Sequence, residues 1–298
     1  MMVNSNRNDG RPQNIWVQGL TGMGLVGYHI AGTLLNLGEG IAVQRIQSYS
    51  EFFPSISFVD SGNLSMKSIN VFRVELEDVN VFVVHGAQPQ ESTLSYFLLT
   101  SFERDMIRWN EENPVDLYLS FGALVEDFKI GTTVPSDETE AEQLARARLE
   151  EERNMTRKFF VATSEILPFD QFKLMVDIDN ALLQKSEGYI SGLNGVLPAY
   201  VGDKLDIPAA TVMVQSSIPS LVGGMGISES HLGQFLGMCS SLRGLEFLSR
   251  IIGYDIPTDA LEYSLSRIED LAAREFAVGM RLGAQQSQDR PPQREMYV

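Results

Sequence analysis

The chain has 298 residues, 44% of them hydrophobic, enough apolar material for a sizeable core in one large α/β domain or two small ones. Asp and Glu number 39 against 23 Lys and Arg, and the formal charge of −16 repels phosphate backbones and anionic lipid, which makes nucleic acid and membrane surfaces poor partners. No apolar run approaches the roughly 18 residues that span a bilayer, the polar start MMVNSNRNDGRPQN lacks a signal core, and the lone Cys239 forms no intrachain disulfide, so the expectation is a cytoplasmic protein.

Residues 1–13 have little to bury and read as a disordered lead, after which IWVQGL (15–20) is a short β-rich run. From 23 to 37 the apolar residues Leu25, Val26, Ile30, Leu34, Leu35 and Leu37 recur near helical spacing and stop at Gly38, which predicts strand, glycine turn, helix. IAVQRI (41–46) reads as the next strand. INVFRVEL (69–76) and VNVFVVHG (79–86) are separated by Glu77 and Asp78, a spacing that predicts two antiparallel strands on a tight turn and therefore a mixed sheet.

A helix over 93–110 leads to the strand VDLYLSFGAL (115–124), then to SDETEAEQLARARLEEERNMTRK (136–158), a helical insertion with an acidic start after a Ser136 cap signal. Charged on most faces, this helix is expected to lie outside the core or cover it thinly. FFVATS (159–164), the glycine-punctuated GYISGLNGVLPAYVGDKLDIP (188–208) and the strand AATVMVQSSIP (209–219) precede two long helical patterns, 228–253 and 258–282. This alternation predicts an α/β three-layer sandwich around a mixed β-sheet, one domain over 14–282. GAQQSQDRPPQREMYV (283–298) is polar and carries Pro291-Pro292, so it reads as a flexible tail.

Gly22, Gly24 and Gly27 spell G-x-G-x-x-G between strand and helix, the setting in which a dinucleotide pyrophosphate can sit at a helix N-terminus. That fingerprint expects an acidic residue about 20 residues on. Here the second strand ends in Gln44, Arg45, Ile46 and Gln47, with Glu39 early and Glu51 late, which favours a structural turn. The rival is a phosphorylase-like or ATP-dependent small-molecule enzyme holding phosphate on these glycines. His29, His85 and His231 form no metal-binding spacing, and Ser216 and Ser217 lack a nucleophile elbow. Asp127, Asp177 and Asp179 are the carboxylate neighbours that 39 acidic residues produce by chance. No catalytic constellation, cofactor or metal is implied.

Met296, Tyr297 and Val298 are different. A tyrosine ring offers large apolar area with little entropy to lose, its hydroxyl can find a hydrogen bond, and a terminal carboxylate can pair with a receptor lysine. The expectation is a tail that inserts into a partner's pocket.

GLTGMGLVGYHIAGTLLNLG followed by EFFPS, and later GYISGLNGVLPAYVGDKLDIPAATVMVQSSIP, resemble the proteasome assembly chaperone family of the second-chaperone type, whose archaeal and actinobacterial members are often labelled ATP-grasp-like. The likeness is carried by the glycine turn, by Phe52, Phe53 and Pro54, and by Gly192, Asn194 and Gly195 at a helix start. It implies a fold like that of purine nucleoside phosphorylases, without their activity. It also implies that Met296, Tyr297 and Val298 occupy the places of the hydrophobic-Tyr-any motif, with which members enter pockets between α subunits of the proteasome core particle. A homo-oligomer presenting several tails fits this reading, and a structural oligomer whose tail packs on a neighbouring subunit is a third possibility.

Overall fold

The computed structural model describes residues 11–22, 25–51, 53, 57–60, 63–89, 97–127, 135, 137–176, 181–185, 187–190, 192–218 and 230–288. Its strands are β1 (Gln13–Leu20), β2 (Ala42–Tyr49), β3 (Ser57–Asp60), β4 (Asn63–Met66), β5 (Ile69–Glu75), β6 (Val79–Gly86), β7 (Leu117–Asp127), β8 (Phe159–Thr163), β9 (Leu182–Gln184) and β10 (Ala209–Ile218). Its helices are α1 (Val26–Leu34), α2 (Glu103–Glu112) entered through a π-helical turn (Leu98–Phe102), α3 (Glu138–Asn154), α4 (Phe169–Val176), α5 (Leu193–Leu205), α6 (His231–Ile252) and α7 (Asp259–Gln288).

One eight-stranded mixed sheet runs in the order β2-β5-β6-β1-β7-β10-β8-β9, and β3 and β4 form a separate hairpin that no sequence pattern had marked. β1 lies parallel to β6 and β7, and β7 parallel to β10. β5 and β6 pair antiparallel as expected, with the Leu76 amide donating to the Val79 carbonyl at 2.9 Å across the turn. Both faces of β1 are covered, which is why it reads as a nearly unbroken apolar run. Ile15 and Val17 point into a core shared with α1, α3, α4, α6 and α7. Trp16 and Leu20 point into a second core with α2 and α5. In that second core Trp16 stacks on Phe82 at 5.0 Å and Tyr118 at 6.3 Å, with Trp109 at 5.2 Å. The fold is thus a three-layer α/β sandwich on a mixed sheet.

Three sequence expectations need correction. α3 is an integral part of its layer: Ala141, Ala145, Leu149 and Glu152, spaced by four, four and three, are buried. Small side chains let it approach α7, where Ala272, Ala273, Phe276 and Ala277 are buried in the same core. Its cap is Asp137, whose carboxylate accepts from the Glu140 amide at 2.9 Å; Ser136 lies outside the described residues. α7 continues past the expected end at 282 to Gln288, because the lone Gly283 is carried by the helix-forming Ala284, Gln285 and Gln286. α1 is shorter than 23–37: it begins after Leu25, held in the left-handed region at φ 53°, and ends at Leu34.

A buried ion pair joins the layers. Arg157 and Glu152, each 2% exposed, lie 3.4 Å apart. Arg157 also donates to the Gln215 carbonyl at 3.1 Å, and Glu152 accepts from the Ser217 hydroxyl at 3.0 Å and from Arg148 at 3.2 Å. Removing one partner strands the other charge in apolar surroundings. Glu152→Ala is therefore expected to destabilise the chain by about 3–5 kcal/mol. Replacing both partners, as Glu152→Leu with Arg157→Met, should be milder than either single loss. Urea unfolding at neutral pH measures both, and equal midpoints for Glu152→Ala and the unaltered chain would refute the assignment.

Candidate functional site

Near the carboxyl end of β1 and in the amino-terminal halves of β7 and β10, three polar side chains stand in an otherwise apolar layer. Gln18 on β1, Ser120 on β7 and Thr211 on β10 stand side by side in register, on the face that also bears Tyr118. Gln18 is wholly buried; its Nε2 donates to Asn194 Oδ1 at 2.8 Å and its Oε1 accepts from the Tyr118 hydroxyl at 2.7 Å. Thr211 Oγ1 donates to the Asn194 carbonyl at 3.1 Å. Burial holds the Tyr118 phenol well above its ordinary range, so it remains a donor. Asn194 belongs to the first turn of α5, which starts there because Gly192 adopts φ 72° and lets the chain pass Gln88. With its amide turned to satisfy both neighbours, Gln88 donates to the Thr21 carbonyl and accepts from the Leu193 amide, each at 3.0 Å. Its backbone amide donates to Thr21 Oγ1 at 2.9 Å.

The glycines of the G-x-G-x-x-G pattern do not act as a set. Gly22 follows β1 and is exposed, facing Asn194; Gly24 lies outside the described residues. Gly27 sits inside α1, where a Cβ would overlap the Phe121 carbonyl oxygen, and Gly19 on β1 meets the Gly27 carbonyl in the same contact. The turn between them is closed by the Leu25 amide donating to the Gly22 carbonyl at 3.1 Å.

The remaining candidates scatter. Tyr28 packs its ring 4.2 Å from that of His85 and 6.2 Å from that of His29. Burial pushes both imidazoles down to about 4, and neither Nε2 has a hydrogen-bond partner among the described residues. His231 sits at the start of α6 against Glu275 at 2.5 Å. Among the described residues no three His, Cys, Asp or Glu converge as a metal site. Ser217 is bonded to Glu152, and the buried Ser216 hydroxyl has no partner. Asp127 ends β7 opposite Ile218, whereas Asp177 and Asp179 lie outside the described residues. Burial raises the Cys239 thiol to about 12, leaving it inert at neutral pH. Phe53 is buried in the α2 side of the core; Phe52, Pro54, Met296, Tyr297 and Val298 fall outside the described residues.

A sequence model of the PAC2 family matches residues 16–274. The chain belongs to the PAC2 family. Its fold is shared with the archaeal proteasome activator PbaB of Pyrococcus furiosus, at 15% identity and a TM-score of 0.61, covering 89% of this chain and 93% of that one. It is shared too with PbaA of the same organism, an archaeal homolog of proteasome-assembly chaperone, at 12% identity and 0.56, covering 93% of each chain. A proteasome-assembly chaperone homologue of Mycobacterium tuberculosis aligns at 12% identity and 0.55, over 95% of this chain and 98% of that one. No curated protein sequence matches the chain.

Sequence reading of this PAC2 chain passed over Gln18, Tyr118, Ser120 and Thr211. The available signal was a glutamine in the middle of IWVQGL, a polar residue in a strand that buries both faces. Two outcomes follow from the site's packing. Gly27→Ala should destabilise the PAC2 fold by about 1–3 kcal/mol, since neither strand nor helix can recede; an unchanged urea midpoint would contradict the contact. His29 and His85 titrate near 4 when folded and near 6.5 when unfolded, so between those values the unfolded chain binds more protons. Stability is therefore full above 6.5 and falls as pH drops toward 4, by about 2 kcal/mol per histidine at pH 5. Urea midpoints at pH 7 and 5 measure this, and His85→Gln should flatten the slope.

Proposed function

We propose that the protein is a cytoplasmic, non-catalytic partner of the proteasome that binds the α subunits of the core particle and assists its assembly, caps it or activates it. The observation that carries the reading is the PAC2 match across residues 16–274, joined to a fold held in common with an archaeal proteasome activator over 93% of that protein. Met296, Tyr297 and Val298 are the docking residues in this reading. Helix α7 supports it physically, because its buried Leu265, Ala272, Phe276 and Met280 fix it to the sandwich and so anchor the residues that follow Gln288. A homo-oligomer would present several such tails at once and bind firmly through individually weak contacts.

Pull-down of purified proteasome α subunits and mature core particle from the same organism provides the test. The intact chain should capture them, and deletion of Met296 to Val298 or Tyr297→Ala should reduce capture about tenfold or more with an unchanged melting temperature. Equal capture by the truncated chain would remove the tail's role. No capture by the intact chain would remove the proteasome reading itself.

A further inference from the structure

Gly22 and Gly122 differ from the other glycines around α1. Neither adopts a positive φ, and among the described residues a Cβ on either would find only one atom within 4 Å: Asn194 Nδ2, at 3.4 Å from Gly22 and 3.9 Å from Gly122. The described backbone and packing would therefore accept a side chain at both positions, and among the described residues the glycines leave space in front of one amide nitrogen. That nitrogen has no acceptor among the described residues: the bonds of Asn194 run through its Oδ1 and its carbonyl. Beside it, Ser120 is 0% exposed and its hydroxyl has no partner. Ser120 stands in register between Gln18 and Thr211, both of which bond Asn194. An unsatisfied buried hydroxyl is a feature that calls for a partner.

Topology places this gap where an open α/β sheet binds ligands. From β1 the chain passes through α1 to the β2, β5, β6 side of the sheet; from β6 it crosses back through α2, on the opposite face, to β7. β1 and β7 therefore flank a switch point of the connections, near which crevices are the usual ligand sites, and the gap lies past the carboxyl end of β1 at the level of the middle of β7. Gly22 follows β1, Gly122 lies on β7, and Asn194 closes the gap from α5.

We propose that this crevice binds a small, uncharged molecule that presents a carbonyl oxygen, an amide or lactam, to the Asn194 amide. The side chains that build it, Asn194, Ser120, Gln18, Thr211 and Thr21, include no cation, and the chain's formal charge of −16 opposes an anion. A neutral acceptor takes up the unused Asn194 donor without the desolvation penalty of a carboxylate or phosphate. The site is independent of the proteasome reading, since none of its residues belongs to the tail.

The test uses the full chain, ¹⁵N-labelled, with the Asn194 side-chain amide assigned by its loss in Asn194→Asp. Acetamide, isosteric acetate and inorganic phosphate are titrated separately. Acetamide should shift the Asn194 amide signals saturably, with acetate and phosphate at least tenfold weaker. Gly122→Ala should weaken acetamide at least tenfold while the melting temperature stays unchanged, because among the described residues the new methyl meets only the amide it covers. The absence of a saturable acetamide shift would overturn the proposal, as would a preference for acetate or phosphate, or undiminished binding by Gly122→Ala.

Discussion

Where α1 crosses β1, two glycines meet backbone to backbone, and a third element is pressed into the same place. A Cβ on Gly19 would overlap the Gly27 carbonyl, and a Cβ on Gly27 would overlap the carbonyl of Phe121 on β7. This close approach lets Val26, Ile30, Ala31 and Leu34 reach the sheet and bury completely, and it sets how far α6 must lean over α1. Gly244 of α6 adds to the same logic, since a side chain there would collide with Ile30. The chain leaving β1 has to turn within a few residues to make that contact, and the left-handed Leu25 shows the constraint in its backbone.

On the opposite face the sheet is held by hydrogen bonds as much as by apolar contact. Gln18 bridges Tyr118 and Asn194, and Gln88 bridges Thr21 and the first amide of α5. Each bond fixes a connection after one strand to another layer, so the positions of Gly22 and Asn194 are determined by groups that are themselves buried and satisfied. Tyr49 makes an analogous tie at the edge of the sheet, donating to the buried Asp105 of α2 at 2.9 Å. These polar links help to hold the geometry of the face that α2 and α5 cover.

Much of the layer order was legible because the strands obey a simple rule: the two-sided burial of β1, β6 and β7 produces apolar runs, and the two residues Glu77 and Asp78 produce a hairpin. α3 was misread because its buried stripe is built from alanine, which carries little hydrophobic signal against nine surrounding charges of mixed sign. The end of α7 was misread because a glycine was taken as a stop where flanking helix formers outweigh it. At the site, the G-x-G-x-x-G spacing drew three glycines together that the fold separates by task. Gly27 serves packing, Gly22 faces Asn194, and the spacing contains nothing that distinguishes the two. Partnership between Gly22 and Asn194 joins positions far apart in sequence, and only the sheet brings them together.

The same details bear on what the crevice can hold. A phosphate cradle needs free backbone amides at a helix start. At α5 three of the first four are engaged: Leu193 donates to Gln88, and Gly195 and Val196 both donate to the Gly192 carbonyl. After β1, the Leu25 amide closes its own turn on Gly22. Among the described side chains the unused donors, with no cation beside them, are an amide and a hydroxyl, groups suited to a neutral acceptor and poorly suited to multiple negative charge. A PAC2 protein can thus keep an enzyme-like crevice at its switch point without the charge apparatus of phosphate chemistry, while the opposite layer, through α7, carries the segment proposed to meet the proteasome.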